Sequence, residues 1–130
     1  MTKFRVISFN AEGLSATKAE LLANLNAEIL CLQEIHKDSI LPRIPDMHLI
    51  ISHLSPIHGS AIYARNKAII QNSRDLSAGG LEILQVDTEH IYIISAYKPP
   101  PTPFVWPQIN QPDGKAVLIM GDFNSHNTIC

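Results

Sequence analysis

The sequence predicts an α/β (α+β) domain built mainly from short strands, and three observations lead there. Short apolar runs at residues 4–10, 28–34, 47–54, 60–65, 81–86, 91–97 and 116–120 are separated by turn-forming residues. One segment, 15–26, instead repeats with a helical period. Hydrophobic residues make up 45% of the 130 and charged ones 17%, the composition of a chain that buries a core rather than a disordered one. The length allows one domain at most, spanning 1–130.

The elements follow in order. The first strand runs from Phe4 into Asn10, and Ala11-Glu12-Gly13 turns the chain. Thr17-Lys18-Ala19-Glu20 has the hydroxyl-to-glutamate spacing of a capping box. Leu14, Leu21, Leu22, Leu25 and Ile29 share one helical face, so a helix is expected over 15–26. A second apolar run then ends in the carboxylate Glu34. Pro42 and Pro45 make 37–45 a loop, and strands are expected at 47–54 and 60–65 on either side of a turn at 55–59. Asn66-Lys67 reads as a tight turn into Ala68-Ile69-Ile70, and Gly79-Gly80 as a break. Residues 81–86 alternate, which predicts a strand with one wetter face. A loop at 87–90 joins it to the more continuously apolar strand 91–97. Lys98-Pro99-Pro100-Pro101-Thr102-Pro103 cannot extend a sheet or helix and reads as a surface segment. Asp113-Gly114 turns the chain into 116–120, read as a buried strand that runs into Gly121-Asp122-Phe123-Asn124. Gly121 allows a tight turn or the close approach of another group.

The formal net charge of -2 leaves no basic footprint, which argues against a passive nucleic-acid binder. It does not argue against an enzyme that grips phosphate through a metal. Cys31 lies inside an apolar run as a small core residue, and with Cys130 it forms no disulfide framework. No signal-peptide pattern precedes the first strand, and no apolar stretch is long enough to cross a bilayer. The expectation is a reducing, intracellular setting with no membrane partner, nucleus and cytoplasm being left open.

Four apolar runs each end in a polar group that can do chemistry: Asn10, Glu34, Tyr97, and Asp122 with Asn124. Strands of a common sheet can present such ends along one edge. The set holds carboxylates, amides and a phenol, without a Ser-His elbow, a lysine-bearing phosphate loop or a zinc spacing. An all-oxygen cluster of this kind suits Mg²⁺ or Mn²⁺ and phosphate chemistry. Taken singly, the residues have plainer alternatives: an Asx turn at Asp122-Asn124, a turn residue at Asn10, a solvated strand end at Glu34 and a packing ring at Tyr97.

Asn10 after a strand, Leu32-Gln33-Glu34, Gly59-Ser60-Ala61-Ile62, Ala96-Tyr97-Lys98-Pro99 and Gly121-Asp122-Phe123-Asn124 occur in an order that resembles the endonuclease/exonuclease/phosphatase superfamily. The wording around residues 97–103 and 121–127 is similar to its retrotransposon branch, the endonuclease domain of non-LTR retrotransposon reverse-transcriptase proteins. The resemblance implies a two-layer, DNase I-like β-sandwich with flanking helices. It implies metal-dependent cleavage of a DNA phosphodiester, with Mg²⁺ or Mn²⁺ as cofactor and a reverse-transcriptase domain in a longer protein. By matching position it implies Glu34 as the main metal ligand with Asn10 beside it. Tyr97 would touch the scissile phosphate, Asp122 would handle the proton of the attacking water or leaving oxygen, and Asn124 would orient it. Arg65 and Lys98 are weaker candidates for contact with DNA phosphates, a surface charge being the alternative for each. Other readings are a phosphatase or repair nuclease of the same superfamily, or a remnant that keeps the fold without the chemistry.

The family pattern continues past Gly-Asp-Phe-Asn to a late Asp-His pair, and nothing here matches it. The chain is therefore expected to be the N-terminal portion of the domain, with little nuclease activity of its own. It is also expected to have low stability, with one sheet short of its partner and with unpaired edges.

Overall fold

The computed structural model describes residues 4–100, 102–103, 106–107 and 114–122. Among these residues the chain forms β1 (Val6–Asn10), α1 (Ala16–Ala23), β2 (Ile29–Gln33), β3 (His48–His53) and β4 (Ser60–Ala64). A 3-10 turn at Lys67–Ile69 leads to β5 (Asn72–Asp75), β6 (Glu82–Asp87), β7 (Ile91–Tyr97) and β8 (Ala116–Asp122). The strands make two four-stranded sheets, ordered β1-β2-β4-β3 and β5-β6-β7-β8. Each sheet is mixed: β1–β2 and β7–β8 run parallel, and the other neighbours are antiparallel. A parallel pair needs a crossover connection, and α1 supplies it between β1 and β2.

Side-chain alternation sorts the core into layers. Ile29, Cys31, Ile62 and Ala64 of the first sheet face Leu84, Val86 and Ile93 of the second. On the other side of the first sheet, Leu30, Leu32, Ala61 and Tyr63 pack under Leu14, Ala19, Leu22, Ile35 and Ile44. The outer side of the second sheet carries Leu81, Ile83, Ile94 and Ala96, covered by Leu76, Trp106 and Val117. Strands β2 and β4 are buried at every position, as central strands with both faces covered must be. Burial pushes the Cys31 thiol up to about 12, with a hydrogen bond to Ser95 offsetting part of the effect, so it is an inert core residue. No helix among the described residues is long and apolar enough to cross a membrane.

The two-layer sandwich expected above is present, with several corrections. Neither sheet lacks its partner, since the two four-stranded sheets face each other across the Ile29–Ile93 layer. The helix is shorter than 15–26 and is capped by Ser15, whose hydroxyl accepts the Lys18 N–H at 3.2 Å, rather than by Thr17. Its expected apolar face is only partly used: Leu14, Ala19 and Leu22 are buried, whereas Leu21 and Leu25 are exposed. Strand β5, Asn-Ser-Arg-Asp, had no apolar signal because it is a polar edge strand. Strand β6 has no wetter face, because Glu82, Gln85 and Asp87 are buried with partners of their own. Gln85 Nε2 donates to Asp87 Oδ1 at 2.7 Å, and Arg74 from β5 lies 3.6 Å from Asp87. Strand β8, read as buried, lies at the sheet edge and is half exposed.

The edges of the two sheets are tied by a pair between β3 and β5, His53 Nδ1 to Asp75 Oδ2 at 2.8 Å. Partial burial pushes the Asp75 carboxyl up, but hydrogen bonds with Ser77 and the contact with His53 outweigh it and hold the group below the usual carboxylate range. A carboxyl with a depressed folded pKa adds stability above its unfolded pKa and loses it as pH falls through the folded value. The gap in urea midpoint between wild type and Asp75→Asn should therefore be steady at neutral pH and close below about pH 4. A gap that persists unchanged to pH 2 would contradict this account.

Candidate active site

The backbone register places the chemically capable residues in one row at one end of the sandwich. In the first sheet Asn10 lies opposite Gln33, and Gln33 opposite Ser60. In the second sheet Glu82 lies opposite Tyr97, and Tyr97 opposite Asp122. The row is polar where the strands leave the apolar layer between the sheets. Just inside it, Gln33 Nε2 donates to Ser8 Oγ at 3.1 Å and to Ser95 Oγ at 3.0 Å, joining the sheets.

Asn10 is the hinge of the rim. Its Oδ1 accepts the Glu12 N–H at 3.0 Å, which fixes the orientation of the amide. Its Nδ2 then donates to Glu34 Oε2 at 2.5 Å and to Asp122 Oδ2 at 3.1 Å. One amide thus gathers two carboxylates that lie 24 and 112 positions away in sequence. Asn10 reaches the carboxylates through its N–H₂ group, while its oxygen is turned to the backbone.

The loops that hold this arrangement are strained. Glu12, Glu34 and His36 have left-handed φ values of 46°, 52° and 56°, uncommon for residues with a side chain. The surroundings enforce them. Ala11, Gly13 and Leu14 donate backbone N–H groups to Gln33, Glu34 and Ile35, so the turn after β1 continues the pairing with β2. Lys18 of α1 donates to the carbonyls of Ala11 and Glu12 and ties the helix to the same turn. His36 Nε2 lies 3.9 Å from Glu34 Oε1.

Asp122 reaches the rim because β8 can lie close against β7. A Cβ built on Gly121 would sit 1.7 Å from the Ala96 carbonyl oxygen, so no other residue fits there. Of the two roles the sequence left open for this glycine, close approach is the one it fills. Lys98 N–H donates to the Asp122 carbonyl at 2.9 Å, extending the β7–β8 pairing past the last strand residue. Tyr97 is buried, and its ring stands 5.6 Å from that of His58.

Asn10, Glu34, Tyr97 and Asp122 therefore converge, and Lys98 adjoins them through its backbone. Arg65 does not. It follows the far end of β4, where its guanidinium donates to the carbonyls of Ala23 and Ala27 behind α1. Asn124 lies outside the described residues. The rim also holds residues the sequence did not single out. Glu82 is buried, accepts the Gly59 N–H at 3.0 and 3.1 Å with its two oxygens, and takes the Ser60 hydroxyl at 2.6 Å. An acidic residue opening the strand, directly before Ile83 and Leu84, was the available signal.

Among the described residues no three His, Cys, Asp or Glu side chains group closely enough to hold a metal by themselves. The pair Glu34 and Asp122 still fits a hard cation. Mg²⁺ commonly takes one or two carboxylates and completes its shell with water and phosphate oxygens.

No protein-family model matches the chain, and no curated protein does. Solved structures match it. An AP endonuclease from Archaeoglobus fulgidus aligns with TM-score 0.56 and 18% identity, over 75% of this chain and 42% of that one. A humanized D. rerio TDP2 aligns with TM-score 0.52 and 18% identity, over 73% and 50%. The endonuclease domain of TRAS1, a telomere-specific non-LTR retrotransposon, aligns with TM-score 0.50 and 19% identity, over 77% and 48%. At these identities the likeness is one of fold. The chain spans 42% to 50% of the length of these neighbours.

Proposed function

We propose, from the DNase I-like fold of the endonuclease/exonuclease/phosphatase superfamily, that this chain carries the metal and phosphate side of a divalent-metal-dependent nuclease acting on DNA. The single observation that supports the reading most is the Asn10 amide that gathers Glu34 and Asp122 at one strand-end rim. Glu34 would hold Mg²⁺ or Mn²⁺, and Asn10 would act as a positioning residue that keeps both carboxylates in place. The cation, when bound, supplies charge neutralisation at the phosphate oxygens. Asp122 takes the proton of the attacking water or returns one to the leaving oxygen. Tyr97 borders the phosphate from β7, and Asn124 orients the groups around Asp122. Lys98 would offer its cation to a DNA phosphate. The wording of residues 97–103 supports a more specific reading, a nick made in DNA during retrotransposon insertion by a longer protein that also holds a reverse-transcriptase domain.

Titration of the chain with Mn²⁺, followed by electron paramagnetic resonance of the free ion, tests the metal assignment. Wild type should show one saturable site, and Glu34→Gln should weaken it by roughly tenfold or more, since the ligand loses its charge. Equal affinity in the two proteins would sink the assignment.

A further inference from the structure

Residues 34–36 are stapled on both sides. Gly13 and Leu14 donate backbone N–H groups to the carbonyls of Glu34 and Ile35. The N–H groups of Ile35 and His36 donate in turn to the carbonyls of Gly59 and His58. Ile35 is buried in the layer under α1, while the side chains of Glu34 and His36 stay partly exposed at the rim. The backbone therefore fixes where the His36 ring stands. Its Nε2 lies 3.9 Å from Glu34 Oε1. Its other edge lies along Gly13, where a Cβ would stand 3.5 Å from Nδ1.

The two oxygens of Glu34 are not equivalent. Oε2 takes the Asn10 amide. Oε1, which faces His36, accepts no hydrogen bond among the described residues. At 3.9 Å the His36 nitrogen is itself too far away to donate to it. An exposed ion pair at that range holds two side chains only weakly. What remains is an open carboxylate oxygen beside an imidazole nitrogen, a mixed oxygen and nitrogen donor pair. Asp122, on the same Asn10 amide, adds a second negative charge toward a divalent ion. The set is not a closed cage, which suits a cation that also meets water and phosphate oxygens. Carboxylate and water donors suit Mg²⁺, whereas an imidazole shifts the preference toward transition-metal ions.

We propose that His36 Nε2 and Glu34 Oε1 hold the cation together, and that His36 makes the site select a transition-metal ion such as Mn²⁺ over Mg²⁺. The inference rests on the nuclease reading above and names the metal its site prefers. His36 acts there as a ligand and moves no proton.

The test is pulsed electron paramagnetic resonance of Mn²⁺ bound to the full chain at about pH 8, since a ligating imidazole must be neutral. Wild type should show the nitrogen coupling of a bound imidazole, and histidine labelled with ¹⁵N should change that coupling without altering the chain. His36→Asn removes the ring and keeps a residue that tolerates a left-handed backbone. It should lose the coupling and bind Mn²⁺ roughly tenfold more weakly, while Mg²⁺ affinity, read by competition, stays within about twofold. Wild type without imidazole coupling would overturn the proposal even if the variant failed to fold. Coupling that persists in His36→Asn, or equal losses for the two ions, would overturn it as well. A saturable, Glu34-dependent Mn²⁺ site without imidazole coupling removes His36 alone, whereas the absence of any saturable site sinks the nuclease reading along with it.

Discussion

Replacing Gly121 by alanine is expected to lower stability by about 3 kcal/mol or more and the melting temperature by about 10 °C or more. The added methyl would lie 1.7 Å from the Ala96 carbonyl oxygen and 2.7 Å from its carbon, and that neighbour is backbone paired in register, not a flexible side chain. Relief requires β8 to move off β7. The damage has a direction, because Asp122 is the next residue and its carboxylate meets Asn10 only while the two strands are paired. Hydrogen exchange should therefore speed up at the β7–β8 amides even where the β2–β4 pairing keeps its protection. A variant with wild-type melting temperature and wild-type exchange would show that the edge tolerates a side chain, and the account of Gly121 would fall.

The second large effect is expected at Glu82. Its carboxylate is buried and receives the Gly59 N–H and the Ser60 hydroxyl. Glu82→Ala removes both acceptors and strands two buried donors, a loss of about 2–4 kcal/mol. Glu82→Gln keeps one acceptor oxygen and should recover about half of that. Urea unfolding of both variants measures the two costs. The turn at 58–60 carries His58 and starts β4, so the Ala variant should also disturb the packing of His58 on Tyr97. Equal stability of wild type and Glu82→Ala would mean that water replaces the carboxylate without penalty.

Much of the fold was legible because its central strands are continuous apolar runs. Ile-Leu-Cys-Leu and Ile-Tyr-Ile-Ile could be little else once turn residues bounded them, and both are central strands. The signal failed where a strand's stability comes from its neighbours. Asn72–Asp75 pairs with β6 although none of its side chains is apolar. Glu82 and Gln85 looked like a wet face because composition cannot tell a solvated polar group from a buried, hydrogen-bonded one. The Thr17–Glu20 spacing was a sound cap pattern, but Ser15 has the extended backbone of a cap residue where the chain enters the helix, and its hydroxyl takes the Lys18 N–H. Arg65 offered a charge without a direction, and pairing placed it at the opposite end of β4 from Ser60. The site residues were legible as strand ends. That Asn10 would hold Glu34 and Asp122 together was not, since it depends on the register of one sheet against the other.

The central claim is that this rim gathers Glu34 and Asp122 around a divalent cation. Paramagnetic broadening of NMR signals by substoichiometric Mn²⁺ tests it most directly. The account predicts broadening centred on Asn10, Glu34 and Asp122 at one end of the sandwich, and its loss in Glu34→Gln. Broadening spread over exposed carboxylates such as Asp46 and Glu89, and unchanged in Glu34→Gln, would contradict it.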